Sequence, residues 1–114
     1  MKKKKLSAQE LEDIAFMLKA LSDPTRLKIM QSLHEGELCV GDIVRNVGTG
    51  QANISKHLQI LVRVYLLKAR REKNIIYYSL AGSFVSNFCD SICKGYTTVL
   101  SKKYGKQFQK GDQA

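Results

Sequence analysis

Six residues in one short run, Gln51, Ala52, Asn53, Ser55, Lys56 and Gln59, carry groups suited to reading a nucleic acid. Glutamine and asparagine present a paired donor and acceptor that match the edge of adenine, and alanine fits a thymine methyl. Serine and lysine supply groups that meet phosphate. A second constellation is sulfur. Cys89 and Cys93 are four residues apart, a spacing that puts both thiols on one face of a helix, close enough to share a thiophilic ion. A trigonal As(III)-type site needs three thiolates, so Cys39 or a cysteine of a second copy would have to join them. The bland alternative is that these thiols are small core hydrophobes. Catalysis finds no support. There is no Gly-rich phosphate loop and no paired carboxylate in an apolar setting. The two histidines, His34 and His57, fall on separate helices with no cysteine couple.

Positioning these groups requires elements, and the chain punctuates them clearly. Ser7 followed by Glu10 is a capping box, after which Leu11, Ile14, Leu18 and Leu21 form one apolar stripe of a first helix. Asp23-Pro24 is an N-cap with proline at the first helical position. A second helix follows and is expected to close at Gly36. A short third helix spans roughly 40–46 before Gly48, and a fourth starts near Gly50 or Gln51. In that fourth helix Ile54, Leu58 and Leu61 give the anchoring face. Strands over 66–71 and 75–80 flank Glu72-Lys73-Asn74 as a hairpin. Phe84, Phe88, Ile92 and Tyr96, with Val85, Cys89 and Cys93 on the adjoining stripe, predict a fifth helix to about Lys103. The expected order is α-α-α-α-β-β-α, mainly helical with a small β-hairpin wing. Both end helices carry apolar stripes that a domain of this size cannot easily bury alone, so a twofold dimer through the first and last helices is expected.

The 114 residues bound the chain to one domain over 7–103, flanked by a basic arm (1–6) and a basic tail (104–114), both expected to be flexible. The net charge of +9 is unevenly placed. Between 45 and 73, Arg45, Lys56, Arg63, Lys68, Arg70, Arg71 and Lys73 stand against Glu72 alone. Between 7 and 42, seven acids oppose Lys19, Arg26 and Lys28. Such a split makes a basic face, the footprint of a protein that meets a polyanion. No apolar run approaches the roughly 20 residues of a membrane-spanning helix, and no apolar core follows the basic start. Three cysteines are too few for a secreted disulfide scaffold, so a cytoplasmic location is expected.

The segments LKALSDPTRLKIMQSL, GELCVGDIV, QANISKHLQIL and the wing ending in IIYYSL together resemble the ArsR/SmtB family of winged helix-turn-helix repressors, over about Ile14 to Tyr96. The resemblance implies a homodimer on an inverted-repeat operator in double-stranded DNA, with no cofactor needed for binding, released by a metal ion, metalloid or oxidant. It implies DNA contacts from Gln51, Ala52, Asn53, Ser55, Lys56 and Gln59 on the reader helix, and from Lys68, Arg70, Arg71 and Lys73 on the wing. His57 sits beside this set as a packing or phosphate-facing residue.

Several family features are altered here. Gly50 replaces a serine N-cap. Tyr65 stands where many members place glycine, which costs about 1 kcal/mol if the backbone there is left-handed. The wing tip lacks glycine, and Asn74 is the residue suited to a positive φ. The family's paired-cysteine metal site reads Cys39-Val40-Gly41 here and lacks one thiolate. The zinc positions of the last helix hold Gly82, Phe84, Gly95 and Thr98. The persulfide-sensing pair maps to Gln31 and Thr97. What remains is Cys89 and Cys93, with Cys39 as a third candidate ligand, for As(III) or another soft metal ion as inducer. A redox or reactive-sulfur signal on the same thiols, or a DNA binder with no effector, are the alternatives.

Overall fold

The computed structural model describes residues 5–105. The expected arm and tail fall largely on residues 1–4 and 106–114, outside the described residues. The chain divides into two units, 1–81 and 82–114.

In the first unit, α1 (Ala8–Leu21) opens on the expected capping box. The Glu10 amide donates to Ser7 Oγ at 3.1 Å, and Glu10 Oε1 accepts from the Ser7 amide at 2.9 Å. That reciprocal pair satisfies two amides the first turn would leave unbonded. α2 (Pro24–Ser32) is started by Asp23, whose carboxylate accepts from the Arg26 amide at 3.0 Å, with Pro24 preset for the first turn. The helix ends earlier than expected, at Ser32. Leu33 to Gly36 form a separate turn, in which Gly36 takes φ 143°.

α3 (Val40–Val47) ends on Gly48 in the left-handed region, φ 86°, which closes the helix without a Cβ clash. α4 (Gln51–Arg63) follows after three residues. Its Ile54, Leu58 and Leu61 are completely buried, as the spacing requires. They join Ile29, Met30 and Leu33 of the α2 segment, Ile43 of α3, and Leu66 and Leu67 in one core. Each such side chain contributes about 1.5–3 kcal/mol of burial, so α4 is fixed by its buried side.

The element order differs from expectation by one strand. β1 (Leu38–Cys39) pairs antiparallel with β3 (Ile75–Leu80), which in turn pairs with β2 (Leu67–Glu72), giving a three-stranded sheet ordered β1-β3-β2. The order is therefore α-α-β-α-α-β-β-α. Glu72 pairs with Ile75, so the hairpin turn is the two residues Lys73 and Asn74. Lys73, not Asn74, carries the positive φ, 58°.

The other expected departure is present. Tyr65 has φ 64°. Its amide donates to Val62 O, and the Leu66 amide to Leu61 O, both at 3.0 Å. These are the two bonds of a Schellman close, with Tyr65 in the left-handed place that glycine usually fills.

The second unit is one helix, α5 (Ser83–Tyr104), ending one residue beyond the expected point. Val85 is buried, while Phe84, Ile92, Tyr96 and Val99 are more than half exposed. In the first unit, Leu11, Ile14, Phe16 and Leu18 of α1 are likewise exposed. Among the described residues no helix is long and apolar enough to cross a membrane.

Candidate nucleic-acid interface and the cysteine helix

With Ile54, Leu58 and Leu61 committed to the core, helical periodicity decides what α4 shows outside. Ala52, Lys56 and Gln59 recur at four and three residues on the side opposite the buried row, and all are exposed. The same stripe continues four residues on to Arg63, also exposed. Arg63 lies outside the candidate residues expected from sequence, and its place four residues after Gln59 on the same stripe is the signal that marks it. Gln51 and Asn53 lie on the flanks of the stripe and Ser55 at its margin. The Asn53 amide donates back to Thr49 Oγ1 at 3.3 Å.

His57 is held inside the fold. Arg26 Nε donates to His57 Nδ1 at 3.0 Å while Arg26 Nη1 donates to the Ala20 carbonyl at 2.9 Å. One guanidinium therefore ties the end of α1, the start of α2 and the middle of the reader helix together. A packing role for His57 accounts for this geometry.

The wing residues do not form one cluster. Side chains alternate across a strand, so Leu67, Ala69 and Arg71 face one way and Lys68, Arg70 and Glu72 the other. The first face is turned toward α4. Leu67 is buried there, and Ala69 with its cross-strand partner Tyr78 joins Gln59, Val62 and Arg63 around an open depression of about 350 Å³. Arg71 stands on that side. Among the described residues neither Arg71 nor Lys73 has a hydrogen-bonded or ion-paired partner.

The opposite face is paired within the protein. Arg70 donates from Nε and Nη2 to Glu37 at 3.2 and 2.5 Å and from Nη1 to Glu72 at 2.5 Å. Its guanidinium carbon lies 4.8 Å from the centre of the Tyr77 ring. The hydrogen bond from Arg70 holds the Glu37 carboxyl below its ordinary value, with Arg70 and Lys68 charges adding to the effect.

Of the three cysteines, Cys39 precedes α3 and donates its thiol to Asp42 Oδ2 at 3.3 Å. That bond, with Arg45 paired to the same carboxylate, lowers the Asp42 carboxyl. Cys89 and Cys93 both lie on α5; Cys89 is half-buried and Cys93 exposed. Burial first, then the neighbouring Cys93 and Asp90 charges, pushes the Cys89 thiol up. Among the described residues no three or more His, Cys, Asp and Glu side chains form a ligand group.

Comparison with known proteins bears on the interface. The family model for bacterial regulatory proteins of the arsR family matches residues 23–68, from the α2 cap to the second residue of β2. The chain is 40% identical over 89 residues to the cadmium resistance transcriptional regulatory protein CadC homolog of Staphylococcus aureus, covering 77% of this chain and 74% of that protein. It is 37% identical over 82 residues to the transcriptional repressor SmtB homolog of Synechocystis sp., covering 72% and 62%. Its fold is similar to the solution structure of a homodimeric winged helix-turn-helix DNA-binding domain from Mycobacterium bovis. The TM-score is 0.78 and the identity 29%, over 88% of this chain and 95% of that one.

Proposed function

The chain belongs to the ArsR/SmtB family of DNA-binding transcriptional regulators, and from that premise we propose that it is a repressor that grips an inverted-repeat operator as a homodimer. The observation that carries this reading is the exposed stripe Ala52–Lys56–Gln59, opposite a fully buried row, beside Arg71, which has no hydrogen-bonded or ion-paired partner among the described residues. In the proposed complex Gln51, Ala52, Asn53, Ser55, Lys56 and Gln59 face the major groove. Arg71 and Lys73 supply phosphate or minor-groove contacts, and Lys68, on the other face of β2, lends long-range positive charge. The exposed apolar side chains of α1 and of α5 are the surfaces proposed for dimerisation, and twofold symmetry then sets two reader helices one DNA turn apart. The reading is tested by enriching a duplex from a random-sequence pool with the wild-type protein, then footprinting it. A protected site without two related half-sites would end the dimer-on-palindrome reading.

For release from DNA we infer a thiophilic inducer, As(III) or another soft metal ion, held by Cys89 and Cys93, with Cys39 or a cysteine of a second copy completing its coordination. Support comes from the spacing on one helix and from the CadC homolog's association with cadmium resistance. A redox or reactive-sulfur signal on the same thiols is the alternative reading, and the exposed Cys93 is the sulfur open to it. Release is measured with arsenite, Cd(II), Hg(II), Zn(II) and peroxide on the wild type and a Cys89→Ser/Cys93→Ser variant. Release by metal or metalloid that survives the double substitution removes the dithiol from consideration.

A further inference from the structure

We propose that Arg70 is a positioning residue that moors the wing to the segment before α3, and that DNA meets the opposite, Arg71-bearing face. The proposal rests on the DNA-binding reading above and revises the expected role of Arg70 within it.

Strand alternation separates Arg70 from its neighbour Arg71. Arg70 offers three of its N–H groups to two carboxylates, Glu37 and Glu72, and lays its plane near the Tyr77 ring. One guanidinium against two carboxylates leaves that trio with a net negative charge. A phosphate approaching it would meet repulsion and would have to break a bidentate pair. Glu37 also directly precedes Leu38, which pairs with Tyr78, while Cys39 pairs with Tyr77, the cross-strand partner of Arg70. The ion pair and the β1–β3 pairing therefore clamp the wing at one place, next to the start of α3. Among the described residues Arg71, on the other face, has no such partner, and strand alternation puts it on the side of Ala69, which lines the depression with Gln59 and Arg63.

The test exchanges the charges, Glu37→Arg with Arg70→Glu, alongside each single change, Arg70→Ala and Arg71→Ala. The DNA probe is the duplex enriched from a random pool by the wild-type protein; the DNA-free readout is amide exchange along β2 and β3. Each single charge reversal should weaken binding about fivefold or more and speed wing amide exchange, and the exchanged pair should restore both to within about twofold. Arg70→Ala should leave the slope of log K against log salt at the wild-type value, whereas Arg71→Ala should make it shallower by about 0.9 per lost contact, or about 1.8 for a dimer. A shallower slope for Arg70→Ala overturns the proposal by making Arg70 a phosphate ligand. Failure of the exchanged pair to restore binding overturns it as well. If Arg71→Ala leaves the slope unchanged, the interface reading fails by itself. The mooring is then judged on amide exchange alone: faster in the singles and recovered in the exchange supports it, unchanged in the singles refutes it.

Discussion

Replacing Tyr65 by glycine should stabilise the protein, although it deletes an aromatic ring. Tyr65 closes α4 with φ 64°, and the residue is 84% exposed. Holding an L-residue in the left-handed region costs about 1–2 kcal/mol. Glycine relieves that cost but adds about 0.5–1 kcal/mol of backbone entropy to be lost on folding. With so little of the ring buried, its removal contributes almost nothing. The net gain is therefore about 0.5–1 kcal/mol per chain. Urea unfolding at one fixed protomer concentration reads it as a midpoint raised by about 0.5 M, at an unchanged m of roughly 1–2 kcal/mol/M. Tyr65→Ala is the control, since it removes the ring but keeps the strain, and its midpoint should stay near the wild-type value. Equal shifts for glycine and alanine would mean that the ring, not the backbone, sets the energy at this corner. A destabilised glycine variant would refute the strain argument outright.

Four further outcomes follow from the same structure. Arg71→Ala should weaken operator binding in proportion to low salt and flatten its salt dependence as given above; a parallel loss at all salt concentrations would remove Arg71 from the phosphate contacts. Asp23→Ala removes the side-chain acceptor at the start of α2 and should cost about 1 kcal/mol in chemical denaturation, with Asp23→Asn keeping most of it. Leu58→Ala empties a fully buried place under the reader helix and should cost about 2–5 kcal/mol, so that operator binding is lost along with the cooperative transition. Glu37 is held below its ordinary value of 4.5 in the folded chain. Its contribution to stability is therefore complete above that value and is lost as pH falls through the lower folded value. Glu37→Gln should flatten that acid limb while leaving the region near pH 7 to 8 with the same slope, as titration of the unfolding midpoint would show.

The elements that were legible from sequence are those whose signals are local. The Ser7–Glu10 box, the Asp23-Pro24 start and Gly48 each act through bonds spanning three or four residues, and the Ile54–Leu58–Leu61 row is a helical period. β1 was not legible, because two residues carry no periodicity and Leu38–Cys39 is a strand only through Tyr77 and Tyr78, about 40 positions away. Similarly, Arg26 meets His57 across 31 residues and Arg70 meets Glu37 across 33. Composition marked the arginines as cations; it could not say which of them the fold had already engaged. The wing tip failed for another reason. Asparagine tolerates a positive φ better than lysine, but the register of β2 with β3 places Lys73 first in the turn, and strand pairing outweighs the preference of one residue.

The three-stranded sheet has a further consequence for how the molecule behaves in concentrated solution. With the order β1-β3-β2, β2 pairs on one side only among the described residues, a six-residue strand with one edge that pairs with no other strand there. Proteins guard such edges with charge, and here the guards are Lys68, Arg71 and the turn residue Lys73, since the charge of Arg70 is offset by two carboxylates. Keeping copies apart and holding DNA thus both draw on Arg71 and Lys73. A wing neutralised to abolish DNA binding should become prone to strand addition between molecules, and more so as salt screens what charge remains.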